Sequence, residues 1–257
     1  MVMKTSKKNK NIKLGKIFAI TFCLVTFGLM LTMADFFSSL ITVGGFSFSN
    51  DNINQTEYKI YAVCTNSYQE KVLASECCEQ IKQQGGAGYI YMNENSYNVV
   101  AGLYENETDA KKVLSNIIEK KPDANILTIT IPKITINSNL SQQEKSTINT
   151  CLSSFKNVYK KLYDISVSLD TAVINEVKAR LEVNEICSST QKTLNDFNTI
   201  FNDNIKTKLL SIRLSLENII NYLNDLINSN TIIPFSSLVK ECYCKVIFLY
   251  KNTAENL

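Results

Sequence analysis

The chain has 257 residues, with eight Cys, twelve Tyr, no Trp and no His, and 45% of it is hydrophobic. Without an imidazole it has no Ser–His–Asp or Cys–His triad, and it lacks the commonest general base and the commonest zinc ligand. The formal charge of +3 divides unevenly: the first 16 residues carry six lysines and no acid, and the rest holds 21 basic against 24 acidic residues, a poor surface for nucleic acid.

The tail lysines are Lys4, Lys7, Lys8, Lys10, Lys13 and Lys16. Behind them Ile17–Ala34 runs for 18 residues without a charge, and a mostly apolar stretch continues past Asp35 to Phe48. That length suits a membrane span and exceeds a signal-peptide core. The positive-inside rule keeps residues 1–16 cytoplasmic and places the body outside the membrane. The expected organisation is a basic tail at 1–16, a transmembrane anchor region at 17–46 and a linker at 47–57. The alternative is a signal peptide cleaved after Thr32-Met33-Ala34.

From residue 58 the pattern changes. Tyr58–Cys64 is β-rich and reads as a strand. Ser67 is the expected N-cap of a helix over 68–84, where Val72, Leu73, Cys77 and Ile81 have helical spacing and Gly85-Gly86 ends it. Gly88–Met92 and Tyr97–Tyr104 read as strands joined by an Asn93-Glu94-Asn95 turn. Asn106 is an N-cap candidate for a helix to Lys120, stopped at Pro122. Ile126–Ile131 is the last strand. The order β-α-β-β-α-β is that of the ferredoxin-like fold, with two helices on one sheet face and the other face free.

On these residues the segment 58–131 resembles the SPOR (sporulation-related) domain family of bacterial peptidoglycan-binding modules. The family's aromatic-x-V-x-V-G-S-F strand stands here, in degenerate form, as Tyr58–Thr65. Its Y-x-V-x-x-G-P-F strand stands as Tyr97–Tyr104, followed by Asp109-Ala110. The resemblance implies recognition of denuded glycan strands at a division or sporulation septum, on the free sheet face. Carry-over places Tyr61 where the family often has Gln, Cys64 where it often has Ser, and Asn98 at a commonly polar or basic position. Strand alternation, taken with Ile60 and Ala62 toward the helices, adds Val63, Ser96, Val100, Leu127 and Ile129 to that face. Tyr61 offers a ring with a polar tip for stacking on a sugar.

Residues 133–140 read as a linker and 141–252 as a helical arm. Ser141 with Glu144 is a capping box. Heptad-like stripes run Ile148–Ala172 and Leu194–Leu226, with a break expected near Asn184–Ser189 and a shorter helix after Pro234. Two long helices and a short one result, packing either as a self-supporting antiparallel bundle or as a coiled coil that binds a second copy or a septal protein.

The cysteines outside the span are odd in number and lack C-x₂-C pairing, so buried small hydrophobes are expected rather than a disulfide framework or a metal site. No phosphate loop or GxSxG motif is present. The reading is an α+β chain with a single transmembrane helix, a ferredoxin-like domain and an all-α arm. It is non-enzymatic, needs no cofactor, binds the cytoplasmic membrane and peptidoglycan, and takes no nucleic acid. The alternative is a coiled-coil interaction scaffold of the cell envelope with a degenerate SPOR-like fold.

Overall fold

The computed structural model describes residues 53–257 except 94, 137–139 and 202–206. The expected tail and span at 1–46 lie outside the described residues. No helix among the described residues is long and apolar enough to cross a membrane.

The first elements are Ile53–Gln55 (β1), Tyr58–Tyr68 (β2), Lys71–Gln83 (α1), Tyr89–Asn93 (β3), Ser96–Tyr104 (β4), Glu107–Ile117 (α2), Asn125–Ile131 (β5) and Ile134–Ile136 (β6). β2 to β5 form one antiparallel sheet in the order β3-β4-β2-β5. The connectivity β-α-β-β-α-β is the predicted one. β1 and β6 form a separate antiparallel pair. Both strands lie in the expected linkers at 47–57 and 133–140, because three-residue strands are too short to show an alternation.

Local signals explain some boundaries and miss others. Asn106 caps α2 by accepting from the Thr108 N–H at 2.8 Å. Ser67 does not cap α1. β2 continues through Ser67 to Tyr68, and the N-cap is Glu70, without a side-chain bond. Two register shifts follow Val63, leaving Ala101 of β4 and Thr65 of β2 as the extra residues, and pairing with β4 then continues through Ser67 and Tyr68.

The arm consists of Gln142–Asp170 (α3), Glu176–Phe201 (α4), Thr207–Ile227 (α5) and Phe235–Glu255 (α6). The Ser141–Glu144 capping box is present at the start of α3. The break falls at 171–175, not at 184–189. There Thr171 leaves the helix and Ala172 takes a left-handed φ of +54°, so the chain reverses without a glycine. α3 packs on α4 and α6, and α5 packs on α4 and α6, which is an up-and-down four-helix bundle. The apolar stripes therefore face one another: Ile148, Phe155, Leu162, Val183, Phe197, Ile212, Leu223 and Ile247 are all buried in one core.

That core does not stop at the bundle. Ile60, Ala62, Cys64, Val100, Leu103, Ile129 and Ile131 of the sheet belong to the same apolar cluster as α3 and α6. The opposite sheet face carries a smaller cluster, in which Ala74, Cys77, Cys78 and Ile81 of α1 pack on Val99. The sheet thus lies between α1 and α2 on one side and the bundle on the other. Residues 52–257 form one compact unit with its own core.

Candidate functional site

Glycan binding was expected on a sheet face left free by α1 and α2. That face is covered. Phe248 of α6 stacks on Tyr89 and Tyr91 of β3, with ring centroids 5.0 and 4.5 Å apart and planes within 18°. Such stacks add roughly 0.5–1.5 kcal/mol each beyond the area they bury. Beneath and beside them Cys64, Val100 and Ile129 are fully or almost fully buried, and Leu127 packs half-buried against the same cluster. Asn98 is 5% exposed, and its amide Nδ2 donates within the sheet to the Tyr91 carbonyl and to Ser96 Oγ, at 3.4 and 3.3 Å. Ser96 is half-buried at the same edge.

Tyr61 and Val63 are not on that face. Ile60, Ala62 and Cys64 point into the bundle-side core, so the residues alternating with them lie on the α1/α2 face. Val63 is buried there, and Tyr61 is half-buried opposite Tyr104 and Thr128. The expected set is therefore split between two faces, and its larger part is interior. The assignment failed because β2 is a central strand covered on both sides. Ile60, Ala62, Val63 and Cys64 are all fully buried, so no polar alternation marks which side is which.

Polar contacts fasten the bundle to the sheet layer. Lys82 of α1 pairs with Glu241 of α6 at 2.9 Å, with both side chains largely buried. Burial alone lowers the Lys82 pKa, but its bonds to Glu241 and Glu79 outweigh that and hold it above the usual lysine value. Ser237 Oγ donates to the Lys82 carbonyl at 2.7 Å, and Lys240 Nζ donates to the Gly85 carbonyl at 2.6 Å. At the other end the Lys156 ammonium lies 4.5 Å from the Tyr58 ring centroid, and the Tyr58 hydroxyl donates to Glu105.

An open concavity among the described residues lies elsewhere. A cleft of about 580 Å³ runs between α1 and α2 and is completed by the C-terminal half of α3 and the start of α6. Its residues come from distant parts of the chain, among them Ile81, Ala101, Val113, Lys121, Tyr163 and Tyr243. The sequence marks none of them as a ligand-site residue, because six elements contribute and no short motif links them.

The seven cysteines among the described residues are free and buried. Burial pushes the Cys64, Cys78, Cys151 and Cys242 thiols up to about 12, and raises Cys244 well above the usual value. These are the properties of core residues rather than of nucleophiles. No group of three or more potential metal ligands converges among the described residues.

Comparison with protein-family models, with curated proteins and with solved structures gives no match.

Proposed function

We propose that this chain is a membrane-anchored, non-enzymatic interaction scaffold of the cell envelope, built on a ferredoxin-like, SPOR-like unit whose ligand face is occupied by its own helical bundle. The observation that carries this reading is Phe248 stacked on Tyr89 and Tyr91, above a sheet face whose central residues are buried. The uncharged run Ile17–Ala34 behind six lysines supports the anchor and an extracytoplasmic body. A surface for partners is available at the far end of α3. Val173 in the turn and Val177 and Leu181 on one face of α4 are 75%, 70% and 57% exposed, spaced four residues apart.

Binding of denuded glycan strands at a division or sporulation septum, as the family resemblance implies, would need α6 to leave the sheet first. The two readings separate in a sedimentation assay with residues 52–257 and sacculi, native or stripped by an amidase. The scaffold reading expects equal, background pelleting with both. Enrichment on stripped sacculi would refute it and restore glycan recognition.

A further inference from the structure

The cleft between α1 and α2 is unused by the scaffold reading, and its chemistry is specific enough to name a ligand class. Its volume, about 580 Å³, lies within the range of roughly 300–1,000 Å³ typical of small-molecule sites. The interior is apolar: Ile81, Ala101, Val113, Ile117 and Val167 contribute to it. Gly86 keeps the wall where α1 ends thin, since a Cβ there would fall 2.6 Å from the Ile81 side chain. Tyr104, Tyr163 and Tyr243 add rings with polar tips. Burial pushes the Tyr104 phenol up to about 12 and raises Tyr163 and Tyr243, so all three are neutral hydroxyls at physiological pH.

The charges are distributed unevenly. Lys240 and Asp170 both line the cleft, but they pair with each other at 2.5 Å, and Lys240 also donates to the Gly85 carbonyl. Their charges are satisfied internally. Lys120 and Lys121, just beyond the end of α2, also line the cleft and make no ion pair among the described residues. Two uncommitted cations beside an apolar trough suit a ligand with one anionic end and a hydrocarbon body. A polyanion would need a longer basic track, and 58–131 as a whole holds 7 Lys against 9 acids. The trough follows α2 and its extension from Val113 to Lys121, roughly 12 Å at a helical rise of about 1.5 Å per residue, which suits an elongated body.

We propose that this cleft binds a single-chain amphiphile with a carboxylate head, the chain lying between α1 and α2 and the head held by Lys120 and Lys121. The test is calorimetric titration of residues 52–257, the compact unit, with decanoate below its micelle concentration and with decyltrimethylammonium as the cationic counterpart. Saturable one-to-one decanoate binding is expected, at least about tenfold tighter than the cation. The double variant Lys120→Gln, Lys121→Gln should weaken decanoate about tenfold, because charge-assisted bonds to the head are lost. Val113→Trp, which fills the trough, should abolish binding with the far-ultraviolet circular dichroism unchanged. Absence of saturable decanoate binding would overturn the proposal. So would equal affinity for the cation, or an affinity that neither variant moves.

Discussion

A chain cut after Pro132 is expected not to fold by itself. The cut leaves Ile60, Val100, Leu103, Ile129 and Ile131, all buried against the bundle, on an open sheet face. Re-exposing a buried aliphatic or aromatic side chain costs roughly 1.5–3 kcal/mol, so these side chains together represent about 8–15 kcal/mol. That equals the whole stability of an ordinary domain, about 5–15 kcal/mol. Residues 58–132 should therefore give no cooperative thermal transition and should aggregate, whereas 52–257 melts as one unit. A monomeric 58–132 fragment with a sharp melt would show that the sheet does not depend on the bundle. The same reasoning means that an isolated 58–132 module is the wrong object for a glycan-binding assay.

Alkaline pH should unfold the protein well before ordinary surface titration would. Burial holds the Cys64, Cys78, Cys151 and Cys242 thiols protonated up to about 12 in the folded state, whereas an unfolded thiol ionises near 8.5. The folded chain keeps protons that the unfolded chain releases, so stability is intact below the unfolded value and falls as pH rises toward the folded one. Each thiol removes about 1.4 kcal/mol per pH unit across that window, so the four together remove about 5 kcal/mol per unit once ionisation of the unfolded state is complete. Tyr104 and Tyr250, also pushed up to about 12 by burial, steepen the loss above pH 10. The urea midpoint should be level from pH 6 to about pH 8, decline above it, and vanish before pH 12. A midpoint unchanged between pH 7 and 11 would mean that these thiols are not buried as described.

The legible parts of the fold were those written in local chemistry. β-rich runs between turn residues gave the order of the sheet elements, and the Asn106 cap and the Ser141–Glu144 box gave two helix starts to the residue. Other boundaries left weaker marks. Ser67 has the right chemistry for a cap, but it is paired with Asn98 of β4 and the strand runs on to Tyr68. The reversal at 171–175 uses a left-handed Ala172 where a glycine would have announced it, and the apolar stripe continues on both sides. A third boundary, between α4 and α5, interrupts what reads as one long stripe.

The candidate site failed on a tertiary fact. The face assigned to Cys64, Asn98, Val100, Leu127 and Ile129 is open only if nothing follows the α/β segment in the fold, and the partner that covers it is the same chain, more than 100 residues later. Phe248 sits within a run, Val246–Tyr250, that is too short for a membrane and too apolar for solvent. That excess of apolar residues was the available signal: α6 buries more than one stripe because it touches both the bundle and the sheet. The same packing uses the arm's stripes. Among the described residues they are largely buried within the chain, and Val173, Val177 and Leu181 form an exposed apolar group at the bundle's end.

The occupied sheet face is most directly tested at Cys64, which lies on it and is fully buried. Native residues 52–257 are exposed to iodoacetamide at pH 8, and alkylation at each cysteine is followed by mass spectrometry, with the urea-unfolded chain as reference. Cys151, buried on α3 within the bundle, reports the intactness of the bundle itself. With α6 seated on the sheet, Cys64 and Cys151 stay unmodified together and react only on global unfolding. Rapid alkylation of Cys64 while Cys151 remains protected would show the bundle standing clear of the sheet, and would contradict the account.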